Sequence, residues 1–450
     1  MNVRILRIEV RRTIAPWAGL AVAVIALGFL FSFSGPWANG PLAWGGQWTH
    51  AAFWTRFLLL LLWPLVVGAG AAQGMRDSRS GMVELLGTAP RPGLHRAAGL
   101  ATATAVPLVL GYLLVFAVGA VQVIANGGFF SFDWLPIVLV GVLAMVAGAW
   151  IGLGIGKLLP HPLTAPALVV AVFTTVIALR SGGVIPIRVA LLSPAFEAVD
   201  DPFFTTSGRV DLGQAIWLAG LAVTGLLALA ARSRWTKVLA AVPVVVALAV
   251  ALPVLPATPA EGRGGDPVAI ARVCDGPVCV TRMHEAELAR IAGPGKEALR
   301  LLGTLPDAPV KVVELDRRLG PEEVPPRAAD TVVADFADAS LRLSTESDDL
   351  TRALLAGAGT PSCLDELGGR SRLPELTART IAAAWFLGEL KPLKGNIWVG
   401  GGIAQETGRA WATFRALPAD EQRERIIALR QAGLTCQGNQ LDILVGKRAR

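Results

Sequence analysis

The chain has 450 residues, of which 53% are hydrophobic and only 17% charged, and its mean hydropathy is +0.54. Those values exclude an ordinary soluble protein of this length and describe a membrane protein. The formal charge of +7 would suit nucleic acid, but residues 1 to 256 carry sixteen Lys and Arg against eight Asp and Glu, while the remainder is close to neutral. Basic loops beside apolar runs are a topology signal, and no basic patch interleaved with aromatics occurs in the polar half, so nucleic-acid binding is set aside.

In chain order, residues 1 to 14 place Ile5 and Ile8 on one helical side with Arg4, Arg7, Arg11 and Arg12 around the other, the pattern of an interfacial helix. Seven apolar runs follow, at about 15–33, 53–72, 97–124, 134–156, 163–179, 215–231 and 238–255, each near the ~20 residues needed to cross a bilayer. With the N terminus in the cytosol, the short loops divide twelve Lys and Arg to the inside and four to the outside, counting Arg56 among the outer four. The fifth run is the weakest, being short and interrupted by Pro166. The spans show no fixed Asp, Glu, Lys or Arg of the kind an ion-coupled carrier uses.

Trp37, Trp44, Trp48, Trp54 and Trp134 cluster near one side of the predicted membrane and read as an interfacial aromatic belt. Gly148, Gly152 and Gly156 recur every four residues in the fourth run, a spacing that lets another helix approach closely within one subunit or between two. Residues 181 to 214 form the longest outer loop, with apolar pieces able to make a re-entrant or surface-lying helix.

After the seventh run, residues 257 to 267 are rich in Pro, Gly and Ala and read as a semi-flexible linker. Residues 268 to 450 then change character. Helical periodicity appears at 285–302, 350–358, 375–390 and 410–432, and strand patterns at 309–315 and 331–335. The expected architecture is thus an α-helical polytopic membrane protein of about seven transmembrane helices, residues 15 to 256, followed by a C-terminal mixed α/β extracytoplasmic domain.

All four cysteines, Cys274, Cys279, Cys363 and Cys436, lie in that domain. An even set confined to the part placed outside predicts disulfides, Cys274 with Cys279 across a tight turn and Cys363 with Cys436. Zinc is the competing reading, but the spacing is CxxxxC and His284 is the domain's one histidine, so no metal site is assigned. His284-Glu285 opens like a metallopeptidase helix, yet Leu288 stands where the second imidazole would be needed. It reads as a solvent-exposed helix start. There is no GxSxG elbow and no phosphate-binding loop, so no catalytic residue is assigned and no nucleotide is hydrolysed by this chain.

One stretch remains, residues 74 to 96, GMRDSRSGMVELLGTAPRPGLHR, a polar and basic interruption between the second and third runs. With the interfacial N-terminal segment before it, the order of elements over residues 1 to 235 resembles the permease subunits of ABC-2-type transporters. The resemblance implies that this loop carries a coupling helix seated in a cytosolic ATPase, with Arg76, Arg79, Gly81, Glu84, Leu85, Leu86, Pro90 and Arg91 as the matching residues. It further implies a second permease copy, two ATPase chains holding the ATP and Mg, an export function, residence in the plasma membrane, and no cofactor in this chain. The seventh span and C-terminal domain depart from the family pattern. The reading from another class is a membrane-anchored extracytoplasmic binding or sensor protein with no transport activity.

Overall fold

The computed structural model describes residues 13–32, 47–76, 93–125, 128–180, 185–196, 203–317, 325–336, 338–363, 372–395 and 401–446. The chain divides into two compact units, Met1–Asp266 and Pro267–Arg450.

In the first unit the helices are α1 (Ala15–Ser32), α2 (Trp48–Phe57), α3 (Leu59–Gly74), α4 (Gly93–Ala125), α5 (Trp134–Leu158), α6 (Thr164–Arg180), the short α7 (Ile187–Ala190), α8 (Gly208–Ala230), α9 (Arg234–Leu239) and α10 (Val242–Val254). All seven predicted runs are therefore helical. Among the described residues four stretches are long and apolar enough to cross a membrane, Gly93–Ala125, Trp134–Leu158, Gly208–Ala230 and Arg234–Val254, and a fifth counts if α2 and α3, bent by 51°, act as one span. The expected count of seven exceeds this because α1 and α6 are shorter. The 17 residues of α6 rise only ~26 Å, against a hydrocarbon core of ~30 Å. Pro166 does not interrupt α6; it lies in the first turn, where its missing N–H would be unpaired anyway.

These helices are apolar on all sides, so their packing is set by close fit rather than by an amphipathic stripe. Along the α3–α5 seam, a Cβ added at Gly152 would lie 2.2 Å from Val67 O, and one at Gly156 would lie 2.2 Å from Ala71 O. Gly148 faces the Trp63 ring, whose Nε1 donates to Ala144 O at 2.9 Å. The glycine series thus joins two helices of the same chain. Gly225 of α8 is equally tight against the backbone at Trp150, which makes α5 the central rod. Outward side chains such as Trp17, Leu110, Val121, Val170, Val245 and Val246 are exposed. Trp48, Phe116 and Trp134 meet at 5.0–6.4 Å and tie α2, α4 and α5 together at one end of the bundle.

Residues 257 to 267 are not a free linker. Pro259–Gly262 forms a helical turn (α11), and β2 (Arg263–Gly265) pairs antiparallel with β1 (Phe204–Thr206), so this stretch is stitched to the chain that precedes α8. Asp266 is buried and its N–H donates to Phe203 O at 3.1 Å.

The second unit is mixed α/β. Its sheet runs β3 (Arg272–Asp275), β4 (Val278–Thr281), β5 (Lys311–Glu314), β6 (Thr331–Ala334), with β3 antiparallel to β4 and the other pairs parallel. A parallel neighbour requires a crossover, supplied between β4 and β5 by α12 (Glu285–Leu302). The short α13 (Ala339–Arg342) is followed by α14 (Ser347–Leu355), α15 (Arg372–Leu387), α16 (Gly401–Arg415), α17 (Ala419–Thr435) and α18 (Gln440–Val445). The expected helix at 410–432 is two helices, because Pro418 cannot continue α16 and instead stands at the N-cap of α17. The core joins Val278, Val312 and Val332 of the sheet to Ile291, Leu302, Leu350, Leu354, Ile381, Phe414 and Leu429 of the helices. Disulfides Cys274–Cys279 and Cys363–Cys436 are both formed. The first closes the β3–β4 turn, where Gly276 takes φ +62°.

Candidate functional site

The loop singled out by sequence is bounded by α3 and α4. Of its eight matching residues, Arg76 is exposed just beyond the end of α3, while Arg79, Gly81, Glu84, Leu85, Leu86, Pro90 and Arg91 lie outside the described residues. At the same end of the bundle, Lys157 Nζ near the end of α5 donates to Leu229 O and Ala231 O, two carbonyls at the end of α8. A cation there satisfies carbonyls that the helix cannot, and it complements the negative end of the helix dipole.

The opposite end holds a constellation that the sequence reading missed. Loop counting on the sequence assigns Arg56 to the outer side and leaves the spans free of fixed charge. In the structure Arg56 is on α2, fully buried inside the bundle. Its Nε and Nη2 donate to Pro194 O at 3.0 and 2.8 Å, Nη2 also to Gln214 Oε1 at 2.9 Å, and Nη1 to Ile137 O at 3.3 Å. Its guanidinium carbon stands 5.0 Å from the Phe196 ring centre. Gln214, on α8, donates onward to Leu191 O at 2.8 Å and Ser193 O at 3.1 Å, and Trp217 Nε1 donates to Leu192 O at 3.1 Å. Four successive carbonyls, Leu191 to Pro194, are therefore capped by side chains from α2 and α8.

The physical reason is the backbone of residues 185–196. Apart from the single turn of α7, it is irregular, and irregular backbone packed into an apolar bundle must find hydrogen-bond partners there. In place of a re-entrant or surface-lying helix or an ordinary loop, residues 185–196 form a clasped segment with a single helical turn. Tyr112 is fully buried near Arg56, with its hydroxyl oxygen in the notch at Gly141 and without a hydrogen-bond partner among the described residues. Arg56 could have been suspected as a lone cation in the apolar run WTRFLLLLLW. Gln214 offered no such signal, since its partners are 21 and 23 residues away in sequence.

The second unit has a smaller polar cluster at the C-terminal ends of its parallel strands. Glu314, buried at the end of β5, accepts from Thr281 N at 2.6 Å and contacts His284 Nδ1 at 2.5 Å. The imidazole packs 4.8 Å from the Phe336 ring. His284 is therefore held by a buried carboxylate and half-buried, not the solvent-exposed helix start expected. No group of three or more His, Cys, Asp and Glu able to hold a metal occurs among the described residues.

No family model matches the chain, and no curated protein or solved structure matches it.

Elsewhere in the unit, the segment Ala358 to Cys363 is clasped in its own way. Arg430 donates to Ala358 O (2.7 Å), Arg379 to Thr360 O (2.7 Å), and Arg327 to Pro361 O (3.2 Å) and Ser362 O (2.9 Å). Glu375 Oε1 accepts from Cys363 N and Ser362 Oγ at 2.7 and 2.8 Å. Burial pulls the Arg379 and Arg430 guanidiniums below their ordinary pKa, opposed at Arg379 chiefly by Glu375. These groups hold the backbone of the segment in place.

Proposed function

We propose that the chain is the membrane-spanning subunit of an ABC-type transporter, an exporter driven by separate cytosolic ATPase chains that hold the ATP and Mg. In this reading all seven apolar helices cross the plasma membrane, the N terminus and residues 74 to 96 face the cytosol, and the C-terminal unit is extracytoplasmic. The permease works with a second copy, and the coupling residues are Arg76, Arg79, Gly81, Glu84, Leu85, Leu86, Pro90 and Arg91.

The supporting observation is how the helix leading into the loop is held. α3 ends at Gly74, whose added Cβ would lie 2.2 Å from Leu153 O, so this helix is locked backbone to backbone on the central α5. α5 is locked in turn on α8, and α8 carries Gln214 of the clasped segment. A push on the loop would travel along stiff, closely fitted rods to the far end of the bundle, which a loosely packed pair of anchors would absorb. Co-purification with an ATPase checks it. Glu84→Arg combined with Leu85→Asp is expected to abolish coupled ATP hydrolysis while leaving the permease folded; unchanged assembly and activity would refute the docking role.

A second reading, a membrane-anchored binding or sensor protein, is favoured by one observation. The Glu314–His284 pair sits at the carboxyl ends of parallel strands, where open α/β sheets bind ligands. It predicts that no ATPase accompanies the full chain and that His284→Ala removes partner binding.

A further inference from the structure

We infer that the Cys274–Cys279 bridge is a reversible thiol–disulfide exchange site that opens to a dithiol reductant and acts as a latch on strand β3. The two bridges of the second unit differ in access. Cys274 is exposed and Cys279 half-buried, on paired strands at one edge of the sheet. Cys363 is buried, with its sulfur packed against Gly433 O and the Gln440 amide. Exchange begins with a thiolate attacking a bridge sulfur, so a sulfur within reach of solvent reacts and an enclosed one is protected.

Little besides the bridge holds β3. Among the described residues it pairs with β4 alone, and none of its side chains is buried. Its charged groups make exposed ion pairs, Arg272 with Asp316 at 3.8 Å and Asp275 with Lys296 of α12 at 2.8 Å, each of small worth in water. Upstream the chain is anchored again: Ala269 is buried, and the N–H groups of Arg282 and Met283 donate to Ala271 O and Ala269 O. Val278 and Val280 of β4 belong to the core of the unit. Opening the bridge therefore loosens β3 and its turn and leaves the core in place. The strand so released borders the Glu314–His284 cluster, since Arg272 pairs with Thr281, whose N–H donates to Glu314.

In the exchange, a thiolate of the reductant attacks the exposed Cys274 Sγ, forms a mixed disulfide and expels the Cys279 thiolate. The second thiol of the reductant then closes its own disulfide and releases Cys274. Two electrons and two protons pass to the bridge, and the reductant leaves oxidised. Closure is the reverse, favoured because the register sets Cys274 directly opposite Cys279 and the turn is held by Pro277 O, which accepts from Val312 N at 2.9 Å. Lys296 neutralises Asp275 beside Cys274, so an approaching thiolate meets no unopposed carboxylate there. This inference concerns the second unit alone and does not rest on the transport reading.

The test uses the full-length protein in detergent, with dithiothreitol as the probe, iodoacetamide to trap free thiols and peptide mass spectrometry to locate them. Cys274 and Cys279 are expected to be trapped at roughly a tenth or less of the dithiothreitol concentration that opens Cys363–Cys436, with the second unit still folded. At that point amide hydrogen exchange across residues 272–279 should rise about tenfold or more while β5 and β6 are unchanged, and oxidised glutathione should restore both the bridge and the protection. Cys274→Ser combined with Cys279→Ser should show the same raised exchange without any reductant. Opening of both bridges over one concentration range, or of Cys363–Cys436 first, would overturn the exchange site. Unchanged exchange in β3 after reduction and in the double variant would overturn the latch.

Discussion

Two irregular segments, Leu191 to Pro194 in the first unit and Ala358 to Cys363 in the second, meet the same problem. Each is buried backbone, and each has carbonyls capped by side chains, Arg56, Gln214 and Trp217 in the first and arginines in the second, rather than by strand or helix partners. The solutions differ in what else holds them. In the second unit Glu375 takes the N–H of Cys363, and the Cys363–Cys436 disulfide ties the end of the segment to α17. In the bundle, Arg56, Gln214 and Trp217 cap the carbonyls by hydrogen bonds, and among the described residues no disulfide and no carboxylate hydrogen bond holds the segment. The first arrangement fixes a conformation permanently. The second rests on hydrogen bonds alone and should be the more easily released.

The largest effect should come from breaking the frame that the releasable segment rests on. Gly152→Leu drives a side chain into Val67 O, a backbone atom that cannot yield, and should destabilise the bundle by ~5 kcal/mol or more, seen as loss of monodisperse protein in detergent. Gly28→Ala, with open space around it, should be neutral or slightly stabilising.

Next is the covalent tie. Replacing Cys363 and Cys436 by Ala opens a loop spanning 73 positions and should cost about 4 kcal/mol, against about 2 kcal/mol for the Cys274–Cys279 pair, whose separation is 5. Thermal unfolding of the full chain, following the second unit's transition, measures both.

The comparison is sharpened by matched arginine removals. Arg430→Met strands two carbonyls that cannot move, and a loss of about 3 kcal/mol is expected. Arg56→Met should cost less, about 1–2 kcal/mol, because residues 185–196 have no disulfide and can shift to re-pair their carbonyls, and proteolysis within that segment should accelerate. Equal losses would show that the two clasps are equally rigid.

The smallest effect is with pH. Asp330 is held below the ordinary carboxylate range chiefly by its hydrogen bond from Lys311. Its stabilising contribution is present above the unfolded-state pKa of ~4 and is lost as the pH falls through the lower folded value. Both groups are exposed, so Asp330→Asn should barely shift the melting temperature at neutral pH and should blunt its decline in acid.

Much of this architecture was legible in the order of residues. Hydropathy alone located every apolar helix, since a bilayer-length run needs no distant partner to be recognised, and α12 was placed at its observed bounds from its apolar spacing. The even cysteine set marked the second unit, and Pro, Gly and acid patterns marked the change of character near residue 257. Tertiary structure alone decided that the glycine series meets α3 of the same chain, that residues 263–265 become a strand, and that Arg56 lies inside the bundle. Each depends on groups far apart in sequence: Arg56 reaches its carbonyl partner across 138 positions and Arg430 across 72. Local pattern determines which segments are helical or apolar, because those preferences are properties of neighbours. Where a buried cation finds its acceptors is a property of packing, and no periodicity records it.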